Sequence, residues 1–262
     1  MTPDVHAHDM AAARRRDTAA SLAVLAALLA LWWAASHGQW VSRAFLPTPE
    51  STLRQLVDGL TRGDLAAYSG ATLARMLAGW GLAGAAGVLL GALVGSSATA
   101  RAWLQPTFEF LRPLPASAVL PLAMALFGLS NGMVLAVVAF GAAWPVLLGT
   151  LHGVSSVHER LREVAAGLQL GRAATVWKLG LPNALPDILA GLRLAATVAL
   201  IVSVVGEMIA SQPGLGQAIL LAARSFQAAE LFAGVLLLGA IGFASNAALA
   251  AAERRLLHWQ RR

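Results

Sequence analysis

The 262 residues are 58% hydrophobic and 12% charged, against about 45–50% apolar and about 25% charged in soluble domains, so lipid is the implied solvent. The net charge of +6 forms no basic stripe interleaved with aromatics, which argues against a nucleic-acid surface; positive-inside topology accounts for it instead. With no cysteine, disulfides, thiolate metal sites and cysteine nucleophiles are excluded, and the histidines, including His152 and His158, lack ligand spacing.

Arg14, Arg15 and Arg16 precede an uncharged stretch from Thr18 to Ser42. It is read as a first spanning helix over 18–37 after a tail of residues 1–17. The alternative is the core of a cleavable signal ending near Ala34-Ala35-Ser36, but everything downstream is also membrane-like and no soluble domain waits for export. In the following loop Thr48 can cap a helix with Pro49 at its first position. Leu53, Leu56, Val57 and Leu60 share one face, which places that helix on the outer membrane surface.

The second uncharged stretch, Met76 to Ala100, is bounded by Arg75 and Arg101 and predicts a span over 76–98, since about 20 apolar residues cross a core of about 30 Å. Gly87, Gly91 and Gly95 fall on one face and predict close helix packing. No charge occurs from Pro113 to His158, which is too long for one span. The turn signal Gly128-Leu129-Ser130-Asn131-Gly132 divides it into spans over 106–128 and 132–152. Two more follow at 188–211 and 231–252, separated by a loop with Pro213, Gly214 and Gly216, before a basic tail at 253–262. The fold class is therefore all-α: a polytopic transmembrane bundle of about six spans within a membrane domain over 18–252. An even count puts Arg14 to Arg16, Arg101, Arg160, Arg162, Arg172, Lys178, Arg254 and Arg255, with Arg261 and Arg262, on one side, which the positive-inside rule makes the cytoplasm. Arg43, Arg54 and Arg62 oppose this, accompanied by Glu50, Asp58 and Asp64.

Between the fourth and fifth spans lies a polar segment, 156–186. Ser156-x-x-Glu159 has the form of a capping box. Val157, Leu161, Val164 and Leu168 then fall within about 60° of one another at about 100° per residue, opposite Glu159, Arg162 and Glu163. Gly167 and Gly171 permit a turn, a second short helix can run from Arg172 to Leu181, and Pro182 and Pro186 are expected to stop it from continuing into the fifth span. Periodicity alone leaves two readings open: a cytoplasmic hairpin that docks on a soluble partner, or a loop packed on its own bundle.

Glu163-Val164-Ala165, Gln169 and Leu179-Gly180-Leu181-Pro182 resemble the coupling-loop motif of ATP-binding cassette importer permeases. That motif is Glu-Ala-Ala, three residues, Gly, nine residues, then Ile-x-Leu-Pro. Val164, Gln169 and Leu179 depart from it; Gln169 stands where glycine supports the turn, a role open to Gly167 or Gly171. Leu46-Pro47-Thr48-Pro49, Leu111-Arg112-Pro113-Leu114-Pro115, Leu120-Pro121, Phe127-Gly128, Gly206-Glu207-Met208-Ile209, Gly214-Leu215-Gly216 and Glu253-Arg254-Arg255-Leu256 are similar to the branch importing sulfonates, taurine and nitrate. The resemblance implies a bacterial inner-membrane permease subunit with both termini cytoplasmic, acting as a homodimer in the lipid bilayer. It implies cytoplasmic ATPase partners that bind ATP and Mg, a solute-binding protein outside, and no catalysis or cofactor in this chain. Coupling to the ATPase falls on Glu163, Val164, Ala165, Gln169, Leu179, Leu181 and Pro182. Candidate gate or pathway residues are Glu207, Met208, Gly214, Gly216, Pro115 and Pro121.

Consistently, Lys178 is the one lysine and follows no phosphate-cradling glycine loop, and neither His-Glu-x-x-His nor Gly-x-Ser-x-Gly occurs. Within the spans, Arg193 is expected to snorkel and Glu109 to pair locally with Arg112. Glu207, fourteen residues beyond Arg193, needs another partner; bracing the outer loop and sitting as an interfacial carboxylate are both open. Pro113, Pro115, Pro121 and Pro145 break helices where either a water-filled path or packing must cover the freed carbonyls. The rival class, an ion-driven secondary transporter or channel, is expected to show inverted repeats or acidic relays, and neither is visible.

Overall fold

The computed structural model describes residues 3–257, and of residues 3–18 the backbone alone. The charged side chains of Arg14 to Arg16 and the tail beyond 257 lie outside the described residues. Helices α1 (Pro3–His37), α3 (Leu65–Gly95), α6 (Asn131–Ser155), α9 (Leu181–Ala210) and α11 (Ala228–Leu256) are each long and apolar enough to cross a bilayer. Between them lie α2 (Pro49–Thr61), α4 (Ala98–Leu111), α5 (Ala116–Phe127), α7 (Glu159–Gly167), α8 (Arg172–Thr175) and α10 (Leu215–Arg224).

The stretch expected as a single span over 106–128 is broken. Helices α4 and α5 meet at 94°, because Pro113 and Pro115 remove donors just where α4 ends. The pair makes a sixth crossing only if taken as one bent element. Helix α3 also begins earlier than expected, so Arg75 lies inside it rather than at its boundary.

The core is α3, α6 and α9, with α6 between the other two. Small residues let the backbones approach, as the glycine spacing predicts: a methyl on Gly91 would stand 2.6 Å from the Leu147 carbonyl oxygen, and one on Gly191 of α9 2.7 Å from that of Pro145 on α6. Met76, Met133, Val134, Val138 and Val146 fill the interior around them. Trp80 of α3 donates to the Leu192 carbonyl at 2.8 Å, and Gly128, at φ +65°, ends α5 before Ser130 caps α6 through the Met133 amide.

Helices α1 and α11 are peripheral. The C-terminal end of α1 is tied down by Trp32 Nε1 donating to the Pro47 carbonyl and Trp33 Nε1 donating to Glu50, with Trp32 stacked on Phe232 of α11. Helix α2 begins as its sequence predicts, with Thr48 Oγ1 accepting from the Ser51 amide. It buries Thr52 and leaves Leu53, Val57 and Leu60 exposed. Arg193 does not simply snorkel: its guanidinium donates to Asn246 and pairs with Glu253 at 3.7 Å, tying α9 to α11. Glu109 accepts from Gln105 rather than pairing with Arg112.

Candidate functional site

Two regions depart from plain helix packing. The first is the segment between α6 and α9. Helix α6 runs on to Ser155, so the expected capping box does not form. Ser156 ends α6, donating its hydroxyl to the Gly153 carbonyl, and His158 caps α7 by accepting the Arg160 amide. Asn183 of α9 donates to Gly153 and to Ser156, clamping the elbow.

On α7 only Ala165 is buried, and the preceding Val157 is buried with it. These two hold the hairpin against the bundle. Leu161, Val164 and Leu168 point away and are 46%, 57% and 68% exposed, so the four-residue stripe predicted by periodicity divides: Val157 is buried and the other three form an uncovered ridge. Glu163 is exposed beside it. Gln169 occupies the left-handed region at φ +53°, so the turn is made by glutamine at the motif's glycine position. Gly167 and Gly171 do not take over: Gly167 is helical and Gly171 has φ −64°.

Pro182 and Pro186 do not stop the second helix of the hairpin from continuing into the next span. Helix α8 passes into a π turn at Val176–Gly180 and then directly into α9, forming a helical rod of 39 residues, Arg172–Ala210. The wider turn lets the Leu181 amide reach the Val176 carbonyl. Pro182 follows the π turn directly, and the rod accommodates it there and accommodates Pro186 further along α9. Leu179 is half-buried and Pro182 exposed. Leu181 turns inward against the cluster of Ala92, Val154, Ala184 and Ile188, so it belongs to the bundle rather than to the ridge.

The second region lies at the opposite end of α9. The Glu207 side chain is fully buried and ion-paired with Arg75 of α3 at 2.5 Å. It also accepts from the Thr72 hydroxyl at 3.0 Å and the Gly216 amide at 2.9 Å. Arg75 spends its other nitrogens on Asn131 of α6 and the Pro213 carbonyl, and Thr72 in turn accepts from the Leu215 amide. One polar knot thus joins α3, α6, α9 and the start of α10. Gly214 and Gly216 are required by closeness, since a methyl at Gly214 would run into the Glu207 carboxylate. Met208 is half-buried next to Glu207 in the chain, while Pro115 lies exposed at the α4–α5 bend and Pro121 exposed within α5.

Sequence reasoning alone misses Arg75, Thr72 and Asn131. Arg75 has the look of a charge that bounds a span, although the apolar run continues on its N-terminal side back to Leu65. The usable signal is Glu207 itself, a lone carboxylate in a span that has to have a cation on another helix.

The sequence matches the family described as "Binding-protein-dependent transport system inner membrane component" over residues 86–258. The chain belongs to this family. It is a permease subunit of an ATP-binding cassette importer, an inner-membrane component rather than an enzyme. The permease is 32% identical over 249 residues to the taurine transport system permease protein TauC of Escherichia coli (strain K12), spanning 93% of this chain and 90% of that one. It is 31% identical to the putative aliphatic sulfonates transport permease protein SsuC of Bacillus subtilis (strain 168), with coverages of 90% and 85%. It is 29% identical to the nitrate import permease protein NrtB of Leptolyngbya laminosa, with coverages of 84% and 81%. Its fold is similar to a crystal structure of an amino acid ABC transporter with histidines, at TM-score 0.56 and 21% identity over 73% of this permease and 93% of that chain. None of these relatives supports the ATP-independent alternative.

Proposed function

We propose that the permease carries a small anionic or zwitterionic solute of the sulfonate, taurine or nitrate kind, and that the α7 ridge couples its movement to ATP hydrolysis in a separate subunit. The observation that carries the coupling reading is the stripe Leu161, Val164 and Leu168, exposed on a short helix that Val157 and Ala165 anchor from behind. An apolar ridge outside the bilayer costs solvation unless a partner covers it. A rigidly anchored ridge also transmits displacement, so the partner's motion reaches the bundle.

In this reading two copies of the permease line the pathway, and two cytoplasmic ATPase subunits holding ATP and Mg seat the α7 ridges. An extracytoplasmic binding protein delivers solute at the Glu207 end. The segment 156–186 and residues 253–262 face the cytoplasm, as do residues 1–17. Glu207, Gly214 and Gly216 brace the outer loop, Met208 lies beside them, and Pro115, at the α4–α5 bend, and Pro121, within α5, lie along the pathway. The names of the relatives support the solute class.

The test is co-expression with the cognate ATPase and binding protein. Val164→Asp and Glu163→Lys are expected to leave the bundle inserted while uptake collapses and ATP hydrolysis no longer responds to loaded binding protein. Wild-type uptake in both variants would overturn the docking assignment. A single cysteine at Gly167 in this cysteine-free chain should react with a membrane-impermeant maleimide only in inside-out vesicles.

A further inference from the structure

The elbow between α3 and α4 and the inner side of the α7–α8 hairpin border an open-mouthed cavity of about 300 Å³. Three arginines line it, Arg101 from α4, Arg162 from α7 and Arg172 from α8, and among the described residues no acidic residue does. Arg101 donates one N–H to the Gly95 carbonyl and Arg162 one to the Ser155 carbonyl. A guanidinium has five N–H donors, so most of their capacity stays open. Arg172 is exposed and makes no side-chain hydrogen bond or ion pair among the described residues. The remaining wall is mainly apolar, including Val154, Val157, Leu170 and Val176.

Three like charges around one hollow repel each other to the extent that water does not screen them. The arrangement is satisfied by an anion with several acceptor oxygens, which arginine forks match bidentately. The cavity also sits at a membrane boundary. It opens where α3 ends, and Trp103 of α4 and Trp177 of the π turn are 79% and 74% exposed near its two walls, as aromatic residues are at the interface. We infer that this cavity is a phosphate site, taking either the phosphate of an anionic phospholipid or free inorganic phosphate, and that the bound anion ties the α3–α4 elbow to the hairpin. The inference rests on the proposed orientation only for which leaflet supplies a lipid.

The test needs neither ATPase nor transport, so its failure is separable from failure of the coupling assignment. Full-length permease is placed in nanodiscs of phosphatidylcholine with phosphatidylglycerol, and retained lipid is counted by native mass spectrometry. Wild type is expected to hold phosphatidylglycerol, and each arginine removed should lower retention by about five-fold. Arg172→Gln is the decisive single variant because no internal bond is lost with it; Arg101→Gln with Arg162→Gln deepens the effect. Arg43→Gln with Arg54→Gln, at the opposite end of the bundle, should change nothing. In a second arm, inorganic phosphate is titrated onto delipidated permease in detergent. A thermal shift lost in Arg172→Gln, with no phosphatidylglycerol preference, would assign free phosphate as the ligand. Equal retention by wild type and the arginine variants, with no phosphate-dependent shift, overturns the site, and so does equal loss in the Arg43 and Arg54 control.

Discussion

Removing Arg75 should damage the permease more than neutralising Glu207, and the difference can be worked from the knot. In Arg75→Ala, Glu207 keeps only the Thr72 hydroxyl and the Gly216 amide, leaving a fully buried carboxylate without its cation. Stranding one member of a buried pair costs about 3–5 kcal/mol. At about 2–4 °C per kcal/mol that is roughly 6–20 °C in Tm. In Glu207→Gln the shape is kept, and Arg75 retains Asn131 and the Pro213 carbonyl. Arg75 does lose its anion, but at 11% side-chain exposure against 0% for Glu207 it still reaches water, so the loss stays nearer one charge-assisted hydrogen bond, about 1.5–3 kcal/mol. In the double variant the stranded charge no longer exists, so the combined cost should fall well below the sum. The assay is thermal unfolding of the purified permease in nanodiscs, arranged as a double-mutant cycle. Additive effects, or an Arg75→Ala variant more stable than Glu207→Gln, would refute the reasoning.

Gln169→Gly should raise stability by about 1 kcal/mol, because glycine adopts the left-handed conformation without the side-chain penalty; a lower Tm would count against the turn geometry. Gly91→Val should cost about 1–3 kcal/mol by overpacking α3 against α6, whereas Gly70→Ala, where an added methyl meets nothing within 4 Å, should be neutral or stabilising by up to about 1 kcal/mol through helix propensity. Paired thermal melts decide both. Leu181→Asp should lower the yield of folded permease, since it puts a carboxylate into the cluster with Val154 and Ile188; normal folding with uncoupled hydrolysis would instead return Leu181 to the docking surface.

The features legible in the sequence are those set by periodicity and spacing. The Gly87, Gly91 and Gly95 face packs as expected, Thr48 caps α2 as its residue type predicts, and Leu161, Val164 and Leu168 share one face as a 3.6-residue repeat requires, although the repeat does not say whether that face is covered. Features that depend on partners distant in the chain are not legible. Arg75 and Glu207 are 132 residues apart, so neither shows its role alone. Local rules also fail where a competing arrangement is available. Ser156 cannot cap α7 because it still closes the last turn of α6, and Pro182 cannot break the chain because a π turn has already shifted the hydrogen-bond register. Gln169 makes its own left-handed turn because the motif's spacing, not the nearest glycine, decides where the hairpin reverses.

The uninterrupted rod from Arg172 to Ala210 places the foot of the α7–α8 hairpin and the buried carboxylate on one stretch of backbone. From Leu181 to Glu207 it is about 39 Å long at about 1.5 Å per residue. A tilt of this lever by about 5° around either end would sweep the other through roughly 3 Å by simple geometry, about the length of one hydrogen bond. A nudge at the hairpin therefore needs no relay of side chains to be felt at the far end.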